Sequence, residues 1–217
     1  MVKRPNVPST ASDDEVRALL ARYDCPLSFH EVRTLFLGKI ASPALGVSPI
    51  KVVERMWGGT LPEFASIDAA NELIGALVMG LWNRLTRHQD RSMPFRLMRI
   101  QTEATREGLA SLALTRQQEI DGFIEGLFGA AESVDLPERA HRGLVDLSQM
   151  RAGFVAVFDL ASDQTKPASV KDIETTFRNM REMTKIAEHE MHAVVLSCTK
   201  ARRDMLSTLP ARKPTLH

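Results

Sequence analysis

The chain is poor in cysteine and almost balanced in charge. Its two cysteines, Cys25 and Cys198, lie far apart and match no spacing typical of zinc binding or thiol exchange, so we expect reduced, packed thiols. The 28 basic and 27 acidic side chains leave a net charge of +1. Because no overall field would attract polyanions, nucleic-acid binding would need a local basic patch.

Long apolar runs are also missing. The longest, from Leu73 to Trp82, is about half the length that a membrane-spanning helix needs, and residues 1–14 contain no secretory signal. These absences predict a cytoplasmic protein without membrane association. The hydrophobic content of 44% is ordinary for a globular chain, which at this size can bury roughly 70% of its unfolded surface.

Helix signals begin after a tail that is predicted to be disordered over residues 1–11. Ser12 with Glu15, and Ser28 with Glu31, form two capping boxes, in which a hydroxyl and a carboxylate satisfy the first amides of a helix. The second helix should end at Ser42-Pro43, because proline clashes with a preceding helical turn and lacks an amide hydrogen.

Two further helices are predicted between residues 49 and 88. Pro49 is suited to the first position of a short helix, which should end where Gly58 and Gly59 can adopt left-handed backbone angles and Trp57 can cover the turn. A second helix should run from Ser66 to about His88. Its middle is apolar on nearly every face, which predicts a central helix surrounded by others, with glycines approached closely by a neighbouring backbone.

Residues 91–114 allow more than one interpretation. Residues 95–100 partly alternate between apolar and polar side chains, and 109–114 form a second apolar run, so a hairpin competes with a helix, and mixed or irregular structure is favoured slightly. Thr115 with Gln118 resembles another capping signal, for a helix that closes at Gly129. A further helix is expected from about Pro137 to Leu160.

The chain is predicted to have two helical parts. Residues 12–162 should form a core domain, and 169–206 a long helix, with a polar linker around Pro167 and a basic tail over 207–217. The long helix should pack on the core or on a partner. A second copy of this chain is one such partner, which would give a homodimer. Its apolar positions recur alternately four and three residues apart, as in a heptad seam of Ile173, Phe177, Met180, Thr184, Ala187, Met191, Val194, Cys198, Ala201 and Met205.

Several short motifs occur in order along the chain, at Leu35, Phe36, Pro43, Pro49, Trp57, Gly58, Gly59, Trp82, Asn83, Gly122, Phe123 and Gly126. They resemble the core of the YecA/YgfB-like bacterial proteins, a helical family with few assigned activities. The resemblance covers about residues 27–160 and implies an all-α fold. Glu119 stands where the family has tryptophan, and Cys198 alone cannot make the C-terminal zinc module of some relatives.

The sequence offers weak candidates for chemistry. Glu188, His189 and His192 have helical spacing that could ligate a metal, although the heptad phase places both histidines on the outer face of the long helix. Asp121 with Glu125 has the spacing of solvated helix charges. No nucleophile motif surrounds Ser28 or Ser42, and His30 is interpreted as a first-turn residue. No cofactor is therefore expected.

A basic cluster near the end of the chain completes the candidates. Its members complement the dipole of the long helix, and no aromatic side chains alternate with them to stack on bases, so nucleic acid is not the expected partner. The sequence thus predicts a non-enzymatic protein that binds another protein; a metal-dependent enzyme and a nucleic-acid-associated regulator are the alternatives. The cluster consists of Lys200, Arg202, Arg203, Arg212 and Lys213.

Overall fold

The computed structural model describes residues 11–44, 48–129 and 134–208, which form seven helices and no strand. The predicted all-α fold and its long C-terminal helix are therefore confirmed. The predicted tails lie almost wholly outside the described residues. The helices are α1 (Asp13–Arg22), α2 (Phe29–Ala41), α3 (Pro49–Met56), α4 (67–89), α5 (Arg106–Phe128), α6 (Glu138–Ser162) and α7 (Val170–Thr208).

The first three helices begin and end where the local signals predict. Both capping boxes are present: the Glu15 amide donates to the Ser12 hydroxyl at 3.2 Å, and the Ser12 amide donates to the Glu15 carboxylate at 2.6 Å. The same exchange opens α2 at Ser28. Pro49 is the first residue of α3, and Gly58 follows its end with a φ of 77°, the left-handed conformation that glycine tolerates.

The core lies where α2 crosses α5, and three glycines let the two helices approach closely. A Cβ added at Gly38 would overlap the carbonyl oxygen of Phe123, and one at Gly126 would overlap that of Leu35. Gly122, one turn earlier on α5, meets the α2 backbone in the same way. These glycines therefore permit backbone contact at the centre of the fold, with α2 buried over almost its whole length.

The apolar helix α4 is not the central helix that the sequence predicts. It contains a π-helical stretch, Gly75–Trp82, and Met79 within this stretch is 57% exposed. No described atom lies within 4 Å of a Cβ added at Gly75, whereas Gly80 does face the backbone of Ala11, at 3.4 Å. The prediction was wrong because apolar content does not by itself determine burial: much of any folded surface is apolar.

The segment 91–114 contains no hairpin. Residues 94–103 belong to neither a helix nor a strand, and the alternating direction of their hydrogen bonds indicates an extended backbone. Helix α5 then begins at Arg106, capped by the Thr105 hydroxyl, which accepts from the Gly108 amide at 3.0 Å. Thr115 is not a cap but an interior residue of α5, whose hydroxyl donates to the Ser111 carbonyl. The apolar run 109–114 is therefore the first half of a helix, an ambiguity that periodicity alone does not resolve in short apolar runs.

The long helix α7 packs along the body of the protein. Most of its heptad seam is buried, from Phe177 to Cys198, against α6, α2 and α5. Near its end, the guanidinium of Arg202 donates to the carbonyl oxygens of Ile40 (2.8 Å) and Ser42 (3.1 Å). Arg202 thereby satisfies carbonyls at the C-terminus of α2, where a cation is also favoured by the helix dipole.

Candidate functional site

The extended segment 94–103, called the strap below, crosses the helices on one side of the protein. Phe95 and Leu97 are buried, and Arg96 and Arg99 are exposed, which accounts for the alternation seen in the sequence. The ring of Phe95 packs edge-on against His88 at 5.2 Å, under the guanidinium of Arg33 at 5.3 Å. The strap is therefore fixed at its N-terminal end by one buried aromatic side chain.

Helix α7 supplies hydrogen-bond acceptors for one edge of the strap. The Leu97 amide donates to Oε1 of Glu188 at 3.0 Å, and the Phe95 amide makes a longer bond of 3.4 Å to Nδ1 of His192. The other carboxylate oxygen of Glu188 accepts from Arg96 at 2.7 Å. A buried extended backbone needs such partners, and here side chains replace the neighbouring strand of a sheet.

Helix α5 holds the opposite edge through a buried ion pair. The Met98 amide donates to Glu119 at 2.8 Å, and the Met98 carbonyl accepts from Arg116 at 2.7 Å. Arg116 and Glu119 pair with each other, and Arg116 also donates to the Thr184 hydroxyl on α7. Burial raises the pKa of Glu119, and the Arg116 charge and the Met98 amide oppose that rise. One pair therefore joins α5, the strap and α7.

An open groove, called the strap groove below, lies between residues 96–103 of the strap and α7. It has a volume of about 950 Å³, and Leu112 and Arg116 of α5 lie at its base. Its walls contain four exposed cations and two acidic groups, Glu103 and Glu188; Arg96 pairs with Glu188, and Lys185 pairs with Glu182 outside the groove lining. The cations are Arg96 and Arg99 on the strap and Arg181 and Lys185 on α7.

The candidate metal ligands Glu188, His189 and His192 have different surroundings on α7. Glu188 already binds the strap, and His189 is exposed. The prediction that His192 lies on the outer face is wrong: it is half-buried against the strap, because α7 is covered by the strap as well as by the helix bundle. Within the described ranges, no three histidine, cysteine or acidic side chains are grouped to hold a metal ion.

The other candidates from the sequence have structural partners. Asp121 forms an ion pair with Arg151 of α6, and His30 contacts both the Ser28 hydroxyl (2.9 Å) and the Gln118 amide oxygen (2.8 Å). The Asp121–Arg151 and His30–Gln118 contacts join neighbouring helices, and the His30–Ser28 contact lies at the start of α2. Glu125 and Ser42 are not brought together with any of these groups, so the structure assembles no catalytic set from them.

The remaining motif residues also contribute to packing. The indole of Trp57 donates to the Tyr23 carbonyl at 2.8 Å, which ties the end of α3 to the end of α1. Trp82 packs edge-on against Phe36 at 5.3 Å, while Asn83 is exposed. Cys198 is buried, and burial raises the pKa of its thiol to about 11, which leaves little reactive thiolate. Both cysteines are free.

Comparison of the chain with family models, with curated protein sequences and with solved structures found no match. The relationship to the YecA/YgfB-like proteins therefore stays a prediction. None of the described helices is long and apolar enough to span a bilayer. What the fold itself defines is an all-helical protein with an extended strap and an adjoining basic groove.

We expect the half-buried histidines beside the strap, His88 and His192, to make the protein less stable in acid. Burial, aided by the charges of His88, His189 and Arg96, lowers the pKa of His192, and burial with Arg33 lowers that of His88. As pH falls below the ordinary histidine value of 6.5, the unfolded chain takes up protons that the folded chain resists. The free energy of unfolding should therefore decrease between pH 7.5 and 5.5.

Urea unfolding at several pH values measures this effect. His192→Gln should unfold with a smaller dependence on pH than the parent, whereas His141→Gln, at an exposed position on α6, should behave like the parent. An unchanged pH dependence in His192→Gln would show that burial of this ring does not contribute to acid sensitivity.

Proposed function

We propose that this protein is a non-enzymatic binding protein, and that another protein docks in the strap groove. The observation that carries the proposal is the groove itself, an open cleft of about 950 Å³. Extended backbone forms one of its walls, and a helix with exposed cations forms the other. Clefts of this size are typical of ligand and peptide sites. We further infer a cytoplasmic location, where Cys25 and Cys198 would stay reduced.

The lining of the groove favours protein over nucleic acid. The one aromatic residue in its lining, Phe177, is 4% exposed and is covered by the guanidinium of Arg181 at 5.1 Å, so it offers no free face for base stacking. Extended backbone, by contrast, is a common docking element for peptides.

Affinity capture from a native lysate, with and without nuclease, tests the proposal. The full chain should retain a nuclease-resistant protein partner, and Arg181→Glu/Lys185→Glu should lose it. Lys200→Glu/Arg203→Glu makes the same change of charge about 28 Å further along α7 and should retain the partner. Equal retention by both variants would contradict docking in the groove.

The same experiment separates the alternatives that the sequence left open. Retention that disappears with nuclease and with Lys200→Glu/Arg203→Glu would instead support the nucleic-acid-associated regulator. The predicted homodimer is checked by light scattering. Because most of the heptad seam is covered within the chain, a dimer would have to use the outer side of α7, where Ile186 is 54% exposed.

A further inference from the structure

The hydrogen bonds of the strap follow the two-residue alternation of an extended strand. Phe95 and Leu97 direct their amides to His192 and Glu188 on α7, whereas Met98 directs both its backbone groups to α5. In a strand, successive residues point their backbone groups to opposite edges. The odd-numbered residues as far as Leu97 therefore face α7, and the same alternation, if continued, places Arg99, Gln101 and Glu103 on this edge.

The spacing of the anchors on α7 matches the strap as far as Leu97. His192 and Glu188 are four residues apart, about 6 Å along a helix, and Phe95 and Leu97 are two residues apart, about 6.7 Å along a strand. One turn further along α7, the position that Arg99 should face is occupied by residues 184–185. The turn beyond contains residue 181, opposite Gln101.

Beyond Glu188, the described side chains of α7 that should face the strap offer it no free hydrogen-bond acceptor. Lys185 and Arg181 carry only hydrogen-bond donors, and the Thr184 hydroxyl already donates to the Met180 carbonyl and accepts from Arg116. The backbone amides of Arg99 and Gln101 make no hydrogen bond to any residue that the structure describes. The strap groove begins along this same stretch.

We propose that the strap groove binds an extended, acidic peptide segment of a partner protein, which adds as a strand along residues 99–103. Its carbonyl oxygens accept from the Arg99 and Gln101 amides, and its carboxylates pair with Arg181 and Lys185. This inference rests on the proposed function and names the chemistry of the partner. The Glu188 carboxylate already accepts from both the Leu97 amide and the Arg96 guanidinium, so the chain itself contains an acidic group bound to the strap.

Charge also distinguishes a partner peptide from the ends of this chain. Residues 1–10 and 209–217 contain four basic and no acidic side chains, namely Lys3, Arg4, Arg212 and Lys213. Neither end would complement a groove with four exposed cations on its walls. A peptide rich in glutamate or aspartate would complement it, with attraction that weakens as salt is added.

Fluorescence anisotropy with a synthetic probe tests the inference on the full chain. The probe is a labelled peptide of about eight residues that alternates glutamate with valine and threonine, enough to span the groove at about 3.3 Å per residue. Two matched peptides serve as controls. In the first, lysine replaces glutamate. In the second, backbone nitrogens that face both edges of the strand are methylated. The acidic peptide should bind about tenfold or more tightly than either, because the first control reverses the charges and the second blocks strand pairing.

Protein variants and a competitor complete the experiment. Arg181→Glu/Lys185→Glu should weaken binding about tenfold, and Lys200→Glu/Arg203→Glu should not. Hydrogen exchange at the Arg99 and Gln101 amides should slow when the probe is bound. Equal binding of the methylated peptide, or equal competition by a single-stranded oligonucleotide, would overturn strand addition. If a cellular partner is lost with the groove variant but the acidic probe neither binds nor competes, the proposed function stands and this inference fails.

Discussion

Replacing Gly126 by alanine is expected to lower the free energy of unfolding by about 3 kcal/mol, the upper part of the range for overpacked cores. The added methyl would overlap the carbonyl oxygen of Leu35, which belongs to the backbone of α2 and cannot rotate away. The two helices would have to separate. Since their crossing forms the centre of the core, the separation should loosen contacts well beyond residue 126. Equilibrium unfolding in urea measures the loss.

Gly75→Ala is the matched control for this substitution. Gly75 is also helical, with a φ of −59°, but no described atom lies within 4 Å of an added Cβ. Alanine is the better helix former, so this variant should be unchanged or more stable by about 0.5–1 kcal/mol. If Gly126→Ala and Gly75→Ala had the same stability, α2 and α5 would not be in backbone contact at Gly126.

Replacing Glu119 by leucine should cost about 3–5 kcal/mol, because it leaves the Arg116 guanidinium buried without its counter-charge. The change also removes the acceptor of the Met98 amide, so the strap should become more mobile. Two measurements report the two effects. Urea unfolding gives the stability, and the rate of trypsin cleavage after Arg96 or Arg99 gives the mobility of the strap under native conditions.

A second variant distinguishes a lost charge partner from general damage to the core. Arg116→Met/Glu119→Leu removes both charges and should recover part of the lost stability, since replacing a whole buried pair by apolar side chains is often close to neutral. Glu107→Gln, at an exposed position on α5, should be unchanged in both measurements. If the double variant were less stable than Glu119→Leu, an uncompensated Arg116 charge would not be the cause of the loss.

Helix starts and the buried face of α7 could be predicted from the sequence because their signals are local. A capping box requires only residues such as Ser28 and Glu31, three positions apart, and a heptad seam is visible from spacing alone. Where two local signals competed, prediction failed. Thr115 has the spacing of a cap, yet the apolar run before it continues the same helix, and Thr105 is the residue that caps it.

The candidate site could not be predicted, because its contacts join residues far apart in the chain. Glu119 reaches Met98, and Glu188 reaches Leu97 across about ninety residues, with no spacing that signals either bond. From the sequence, Glu119 was noticeable only as a departure from tryptophan in the family pattern. The alternation of residues 95–100 did indicate extended backbone, but a sequence pattern does not reveal that helices would take the place of a partner strand.

The strap is held by side chains, and this makes its attachment dependent on individual amino acids. In a sheet, backbone pairs with backbone, so most substitutions leave the hydrogen-bond ladder intact. Here Glu188, His192 and the Arg116–Glu119 pair supply the anchors, so a single substitution can remove a hydrogen bond of the strap. Related chains with the same helices could thus differ in how firmly this segment is attached. During evolution, single substitutions would change the number of its hydrogen bonds one residue at a time.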